Sequence, residues 1–221
     1  MSYKSVWDFG RGGNANYSVH AIGEYPSKIR PIVFRIIVER FTHKGDVILD
    51  PFCGSGTLAV EAKLQGRSSI NYDINTKAIE LTKEKLDKLT KSEMQKAIQE
   101  LIEDTKKDFQ TYLGNGEIES SFKQVQAKKE VEKLEAELVA LNAPDSVYFK
   151  TTHNSEVKDA REVNLPDESV DAIITDIPYA NMIRYSDEPK DLSTIEDYEE
   201  FLKQMEYWGL RLLLKMKENK Y

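Results

Sequence analysis

At about 100 to 200 residues per domain, a chain of 221 residues makes one domain, or one domain with an insertion, and two complete enzymes are excluded. Hydrophobic residues are 40% and charged residues 31%, so a core can be buried, yet a mean hydropathy of -0.55 requires a strongly polar segment somewhere. The net charge of -7 argues against non-specific coating of DNA, which Lys and Arg drive by displacing counterions. There is no run of about 18 apolar residues and no basic-then-apolar leader in Met1 to Gly10, so no membrane partner is expected. A single cysteine, Cys53, and three scattered histidines (His20, His43, His153) exclude a disulfide framework and a zinc cluster. The expectation is a cytoplasmic, metal-independent protein.

Gly10, Gly12 and Gly13 with Asn14 and Asn16 mark an irregular opening, after which Ile29, Val33, Ile36, Ile37 and Phe41 recur at helical spacing. Pro31 suits the first turn of that helix, where its missing N–H costs nothing, and Thr42 to Gly45 closes it. Residues 1 to 45 carry seven basic side chains against three acidic ones, a local balance of +4, so a bound polyanion would touch this segment or a basic partner. Val47-Ile48-Leu49 is too short for a helix and is bounded by Gly45 and Pro51, which makes it a buried strand. Gly54 and Gly56 turn the chain into a helix from Thr57 to Gln65, capped by Gly66, and Ser69 to Tyr72 is the next strand, ending at Asp73. Strand, glycine turn, helix and strand make a βαβ unit and imply a parallel sheet.

From Thr76 to Asn142 the chain has no proline and is rich in Lys, Glu and Gln around Leu81, Leu86, Leu89, Ile98, Leu101 and Ile102. This spacing predicts one long charged helix, a break at Gly114-Asn115-Gly116, and a second helix through Phe122, Val125, Leu134, Leu138 and Leu141. The expected geometry is an antiparallel hairpin, either a structural arm or a contact arm for a partner or DNA. Replacing Thr82 to Leu141 by a short linker is expected to leave the body folded. The sheet is expected to resume at Val147-Tyr148-Phe149 and again at Val170 to Thr175. Ser193 to Glu196 reads as the capping box of a last amphipathic helix running from Tyr198 through Met216. That helix should be a crossover to a fifth strand that is not present, so the sheet is expected to be incomplete at its carboxyl end unless another chain completes it.

Asp50-Pro51-Phe52-Cys53-Gly54-Ser55-Gly56-Thr57 stands at the carboxyl end of a strand and opens a helix, where parallel α/β sheets bind ligands. Glycine is needed where a ligand lies against the backbone. Asp73, 23 residues after Asp50 at the end of the next strand, is placed to accept both hydrogen bonds of a ribose diol. A pyrophosphate dinucleotide stays open, although the loop lacks the full Gly-x-Gly-x-x-Gly and has Leu58-Ala59 near its third glycine. Cys53 reads as small packing, since no histidine stands near it in sequence.

These residues resemble the class I methyltransferases that use S-adenosylmethionine, and more closely the DNA amino-methyltransferases of the N4-cytosine and N6-adenine type. Asp50 to Thr57 is similar to their cofactor motif and Asp73-Ile74-Asn75 to the acidic motif that follows. Asp176-Ile177-Pro178-Tyr179 resembles their Asp/Asn/Ser-Pro-Pro-Tyr catalytic motif. His20 to Lys28, with Tyr25-Pro26-Ser27-Lys28, resembles the segment that helps enclose the methionine end of the cofactor. The resemblance covers residues 20 to 80 and 157 to 190, a little under half the chain. It implies an α/β, Rossmann-like class I fold with a doubly wound, mostly parallel sheet; with the helical hairpin read above as an insertion at 76–145, the catalytic domain is expected at 1–75 and 146–221. It also implies S-adenosylmethionine as cofactor, Tyr25, Asp50 to Thr57, Asp73 and Ile74 as its binding residues, and DNA as partner. Asp159 takes the position that holds the cofactor's adenine amino group in relatives, or is a solvated loop acid.

An exocyclic amino group on adenine or cytosine is a poor nucleophile, because its lone pair is delocalised into the ring. Asp176 and the Ile177 carbonyl supply two acceptors for its hydrogens and would favour the pyramidal nitrogen of the transition state. Tyr179 would stack on a base flipped from the duplex. Ile177 departs from the motif, whose first proline it replaces: the carbonyl stays and the stiffness of the loop is lost. Two other functions compete with DNA methylation. An RNA guanine amino-methyltransferase has similar motifs, and Leu165-Pro166-Asp167-Glu168-Ser169 suits it. A half-complete subunit without activity, acting through its hairpin, would need a completing or recognition subunit or a second copy in a homodimer.

Overall fold

The computed structural model describes residues 17–26, 28–113 and 118–218, with side chains except at 108–113 and 118–124. The glycine-rich opening, Ser27 and the Gly114-Asn115-Gly116 break lie outside the described residues. Four strands, β1 (Val47–Asp50), β2 (Ser68–Asp73), β3 (His153–Val157) and β4 (Ala172–Ile173), form a parallel sheet in the order β3-β2-β1-β4. Among the described residues six α-helices accompany it: α1 (Pro31–Phe41), α2 (Thr57–Leu64), α3 (Thr76–Lys88), α4 (Lys91–Leu113), α5 (Ile118–Asn142) and α6 (Tyr198–Leu213).

The central strand is buried on both faces, which is why it reads as an unbroken apolar run. Ile48 packs with Phe34 and Val38 of α1 and Leu58 and Ala62 of α2. Leu49, its neighbour, points the other way into a cluster with Val170 and with Phe201, Trp208 and Leu212 of α6. Helices therefore cover both faces of a parallel sheet, as the doubly wound reading requires. The chain runs outward from β1 through β2 to β3 and then returns to β4 on the far side of β1. That reversal opens a crevice at the carboxyl ends of β1 and β4, where such sheets bind ligands.

Three elements differ from the sequence expectation. The single long helix from Thr76 is two helices, because Leu89 is buried and Thr90 starts α4 afresh, its hydroxyl accepting from the Glu93 N–H at 3.3 Å. Thr90-x-x-Glu93 is a capping-box pattern that the leucine periodicity overshadows. Val147–Phe149 is a 3-10 turn rather than a strand. Tyr148 is buried there beside Leu64 and Leu141, and the real third strand, His153–Val157, is polar because it lies at the sheet edge. Finally, Asp197 caps α6, accepting from Glu200 N–H at 2.9 Å, while Ser193 belongs to a separate turn capped by Asp191.

The chain leaving α6 returns beside β4. Val170 pairs in parallel with Met216, and the Lys217 N–H donates to the Val170 carbonyl at 2.9 Å, so a fifth strand position begins where none was expected.

Helices α4 and α5 run antiparallel, as the contacts Gln95 to Asn142 and Lys106 to Glu135 require. Their base is no solvated arm. Met94, Ile98, Leu134 and Leu141 share one core with Tyr17, Val60, Leu64 and Tyr148. Arg35 of α1 donates to Glu137 of α5 at 3.1 Å and lies 3.7 Å from Glu61 of α2, which in turn meets His20 at 3.0 Å. Helix α3 packs against β2, β3 and α2. Replacing Thr82 to Leu141 would thus remove half of α3 and part of the core, and the expectation of a freely dispensable segment is corrected.

Gly56 shows how tightly α3 is seated. Its φ is +76°, and a Cβ there would sit 2.6 Å from Thr82 Oγ1. Left-handed strain of about 1–2 kcal/mol adds to about 1–3 kcal/mol of overpacking. Gly56→Ala is therefore expected to lose about 2–5 kcal/mol in urea unfolding; a loss below 1 kcal/mol would refute this packing.

Candidate functional site

A cleft opens at the carboxyl ends of the strands. Of the residues singled out by sequence, Asp50, Pro51, Phe52, Cys53, Gly54, Ser55 and Thr57 line it from the loop between β1 and α2. Asp73 and Ile74 follow β2, Tyr25 comes from the segment before α1, Asp159 follows β3, and Asp176 and Pro178 follow β4. Gly56, Ile177 and Tyr179 are not among the lining residues: Gly56 faces Thr82, Ile177 is 43% exposed, and Tyr179 turns back onto Asp176. The cleft also takes Phe34, Tyr185, Lys190, Asp191 and Leu192, which no motif marked. Tyr185 and Leu192 lie in loop and turn, where no periodicity exists to expose them.

The loop is held from behind by α3. Thr82 Oγ1 donates to the Gly54 carbonyl at 3.1 Å, and the buried Lys85 ammonium to the Ser55 carbonyl at 2.7 Å. Burial lowers Lys85 to about 8. Gly54 has φ +51°, and a Cβ there would lie 3.0 Å from the Tyr25 ring, so one reason for this glycine is a protein aromatic laid against it. Burial pushes the Cys53 thiol up, keeping it neutral, in keeping with a packing role.

Asp73 accepts from Gly54 N–H and Asn75 N–H, one on each oxygen and both at 2.8 Å. A carboxylate oxygen has two acceptor sites, so each keeps one for a vicinal diol. Asp50 accepts from Thr175 Oγ1 at 2.7 Å, tying β1 to the end of β4. Asp159 accepts from the Arg161 guanidinium through both oxygens; burial works against its charge, but Arg161 outweighs this and holds the carboxyl low. Asp176 is raised by its burial, and the Tyr179 hydroxyl, 3.1 and 3.0 Å from its two oxygens, partly offsets that.

Five carboxylates, Asp50, Asp73, Asp159, Asp176 and Asp191, therefore face a cleft whose basic lining residues are Lys28 and Lys190. Both lysines already have partners, the Gly23 carbonyl and Glu162. Such a field suits a cationic ligand and opposes a pyrophosphate.

Burial raises Asp50 to about 7 and Asp73 to about 6, against about 3.9 for a solvated aspartate. The folded protein keeps these protons to higher pH than the unfolded chain, so their stabilising effect is complete below about pH 4 and is lost as pH rises through about 6 and 7. The thermal midpoint of the ligand-free protein is expected to fall between pH 5 and pH 8, and less so in Asp50→Asn. An equal fall in both proteins would remove Asp50 as its source.

Comparison with known proteins agrees with this geometry. Residues 2–84 match the family model described as DNA methylase of the N6/N4 type. The chain is 35% identical over 83 residues to the Type II methyltransferase M.HpaI of Haemophilus parainfluenzae, covering 38% of this chain and 26% of the relative. It is 33% identical over 99 residues to the Type II methyltransferase M.MjaII of Methanocaldococcus jannaschii, covering 45% of this chain and 18% of that one. It is also 41% identical over 63 residues to the tRNA (guanine(10)-N2)-dimethyltransferase of Methanothermobacter thermautotrophicus, 28% of this chain and 19% of the relative. The matched region spans about a quarter or less of these relatives. Among the described residues no helix is long and apolar enough to cross a membrane. Residues 2–84 are thus similar to the N6/N4 DNA methylases, and the chain carries them on a parallel α/β sheet with helices on both faces.

Proposed function

We propose that this chain binds S-adenosylmethionine and transfers its methyl group to an exocyclic amino group of adenine or cytosine in DNA. One observation carries the reading: the loop from Asp50 to Thr57 and the carboxylate of Asp176, which follow two strands far apart in sequence, open on the same acidic cleft. The cofactor fits the donor set. Its sulfonium and ammonium charges suit the acidic lining, and the open acceptor sites of Asp73 suit its ribose diol. Gly54, Ser55 and Tyr25 would border the methionine portion, with Ile74 and Asp159 toward the adenine. When bound, it supplies an electrophilic methyl group.

The chain's own residues then act on the amine. Asp176 and the Ile177 carbonyl accept its two hydrogens, hold the nitrogen pyramidal and aim its lone pair into the cleft. Tyr179 provides an aromatic face for a base taken out of the stack. RNA is the second reading, because a tRNA dimethyltransferase stands among the relatives. A recognition or completing subunit, or a second copy, would supply the phosphate contacts for which a net charge of -7 offers little.

Calorimetry with S-adenosylmethionine tests the cofactor reading. Asp73→Ala should weaken binding at least about tenfold, since charge-assisted hydrogen bonds are worth about 1.5–3 kcal/mol each. Unchanged affinity would sink the role of Asp73. Labelled methyl transfer to DNA and to transfer RNA decides the substrate, and transfer to RNA alone would establish the second reading.

A further inference from the structure

Three tyrosines form a continuous aromatic path from the cofactor loop to the acceptor carboxylate. Tyr25 lies against Gly54, and its ring is stacked on that of Tyr185, with centroids 6.2 Å apart and planes 26° apart. Tyr185 meets Tyr179 in turn, at 6.4 Å and 57°. The main chain of Tyr185 is anchored from two sides. Its carbonyl accepts from Asn75 Nδ2 at 2.9 Å and its N–H donates to Ser193 Oγ at 3.4 Å. Asn75 is itself tied to Asp73 by its N–H. Tyr185 thus sits on a fixed wall, six residues after the Asp176 to Tyr179 loop, and no motif includes it.

Tyr179, by contrast, stands in a position that excludes a substrate. Its hydroxyl donates to both Asp176 oxygens, the atoms an amine would need. A planar ring held between two others needs about 7–8 Å between their centroids, two contacts of about 3.5–4 Å. The pair is now about 1 Å too close and tilted.

We propose that Tyr185 is the second wall of the acceptor slot: an amino-bearing base enters between its ring and that of Tyr179, and in entering turns the Tyr179 hydroxyl off Asp176. Parting the rings makes room for the base, and the same rotation frees the carboxylate for the amino hydrogens. Asp176 is therefore kept hydrogen-bonded until the base arrives. This rests on the methyltransferase reading above, and Tyr185 acts in it through stacking alone.

The test measures labelled methyl transfer to long unmethylated phage DNA, together with S-adenosylmethionine affinity by calorimetry. Tyr185→Ala should raise KM for DNA about tenfold, the scale of one lost stacking contact, with cofactor affinity unchanged. Tyr185→Phe keeps the ring and should restore the wild-type KM. An unchanged KM in Tyr185→Ala, or a phenylalanine variant as impaired as alanine, would overturn the proposal. An equal loss of cofactor affinity would also overturn it and assign Tyr185 to cofactor enclosure with Tyr25. If the wild-type chain methylates no DNA by itself or with a completing subunit, the functional reading fails and the slot is tested separately, by saturation-transfer NMR of deoxyadenosine and deoxycytidine on protein loaded with S-adenosylhomocysteine. Nucleoside binding that is lost in Tyr185→Ala upholds the slot; absence of binding, or binding kept in the variant, refutes it.

Discussion

Replacing Asp176 by alanine is expected to lower the rate of methyl transfer at saturating cofactor by about 100-fold or more. In the proposed function this partly buried carboxylate at the end of β4 is a preorganised acceptor that binds charge developing only as the amine becomes pyramidal. Interactions made in the transition state alone act on kcat. Asp176→Asn keeps one oxygen acceptor and loses the charge, so its rate should fall between those of the wild type and the alanine variant. Single-turnover measurement with saturating cofactor separates this from product release. A rate within about threefold of wild type in Asp176→Ala would exclude the carboxylate from the chemistry, because an oxyanion-hole-type group cannot be that dispensable.

The largest stability effect is expected at Arg35, far from the cleft. This guanidinium is 3% exposed and is the cation shared by Glu61 of α2 and Glu137 of α5, at 3.7 and 3.1 Å. Arg35→Met would strip Glu61 and Glu137 of their shared guanidinium, and removal of one partner from such a buried group costs about 3–5 kcal/mol. Urea unfolding should register it. The double variant Arg35→Met, Glu137→Leu should recover much of the loss, since Glu61 keeps His20 at 3.0 Å and an apolar replacement of similar volume is often neutral. A single variant as stable as wild type would mean that the base of the α4–α5 hairpin is held by its leucines alone. Because α1 also carries Phe34 into the cleft, cofactor affinity of the single variant is a useful second reading.

Sequence alone was enough for the parts whose signals are local. The β1-α2-β2 unit is legible because an apolar strand, a glycine turn and a helix each declare themselves within a few residues, and the reading of Val47 to Leu49 and Thr57 to Gln65 differs from the structure by one residue. The same holds for the Asp50 to Thr57 loop, Asp73 and Asp176, which sit where strand ends must place them. What only the tertiary structure decided depends on partners distant in the chain. Tyr148 looks like a strand residue until Leu64 and Leu141 close around it, and His153–Val157 is a strand despite its polarity because β2 offers it a hydrogen-bonding edge. Gly56 reads as room for a ligand, yet the atom that forbids a side chain there is Thr82 Oγ1. Arg35, Glu61 and Glu137 are three unremarkable charges in the sequence, and burial against one another is what makes them costly to change. The hydroxyl of Tyr179 on Asp176 and the ring of Tyr185 beside it belong to the same class, for side-chain orientation in a loop is set by packing across the cleft and leaves no period in the sequence.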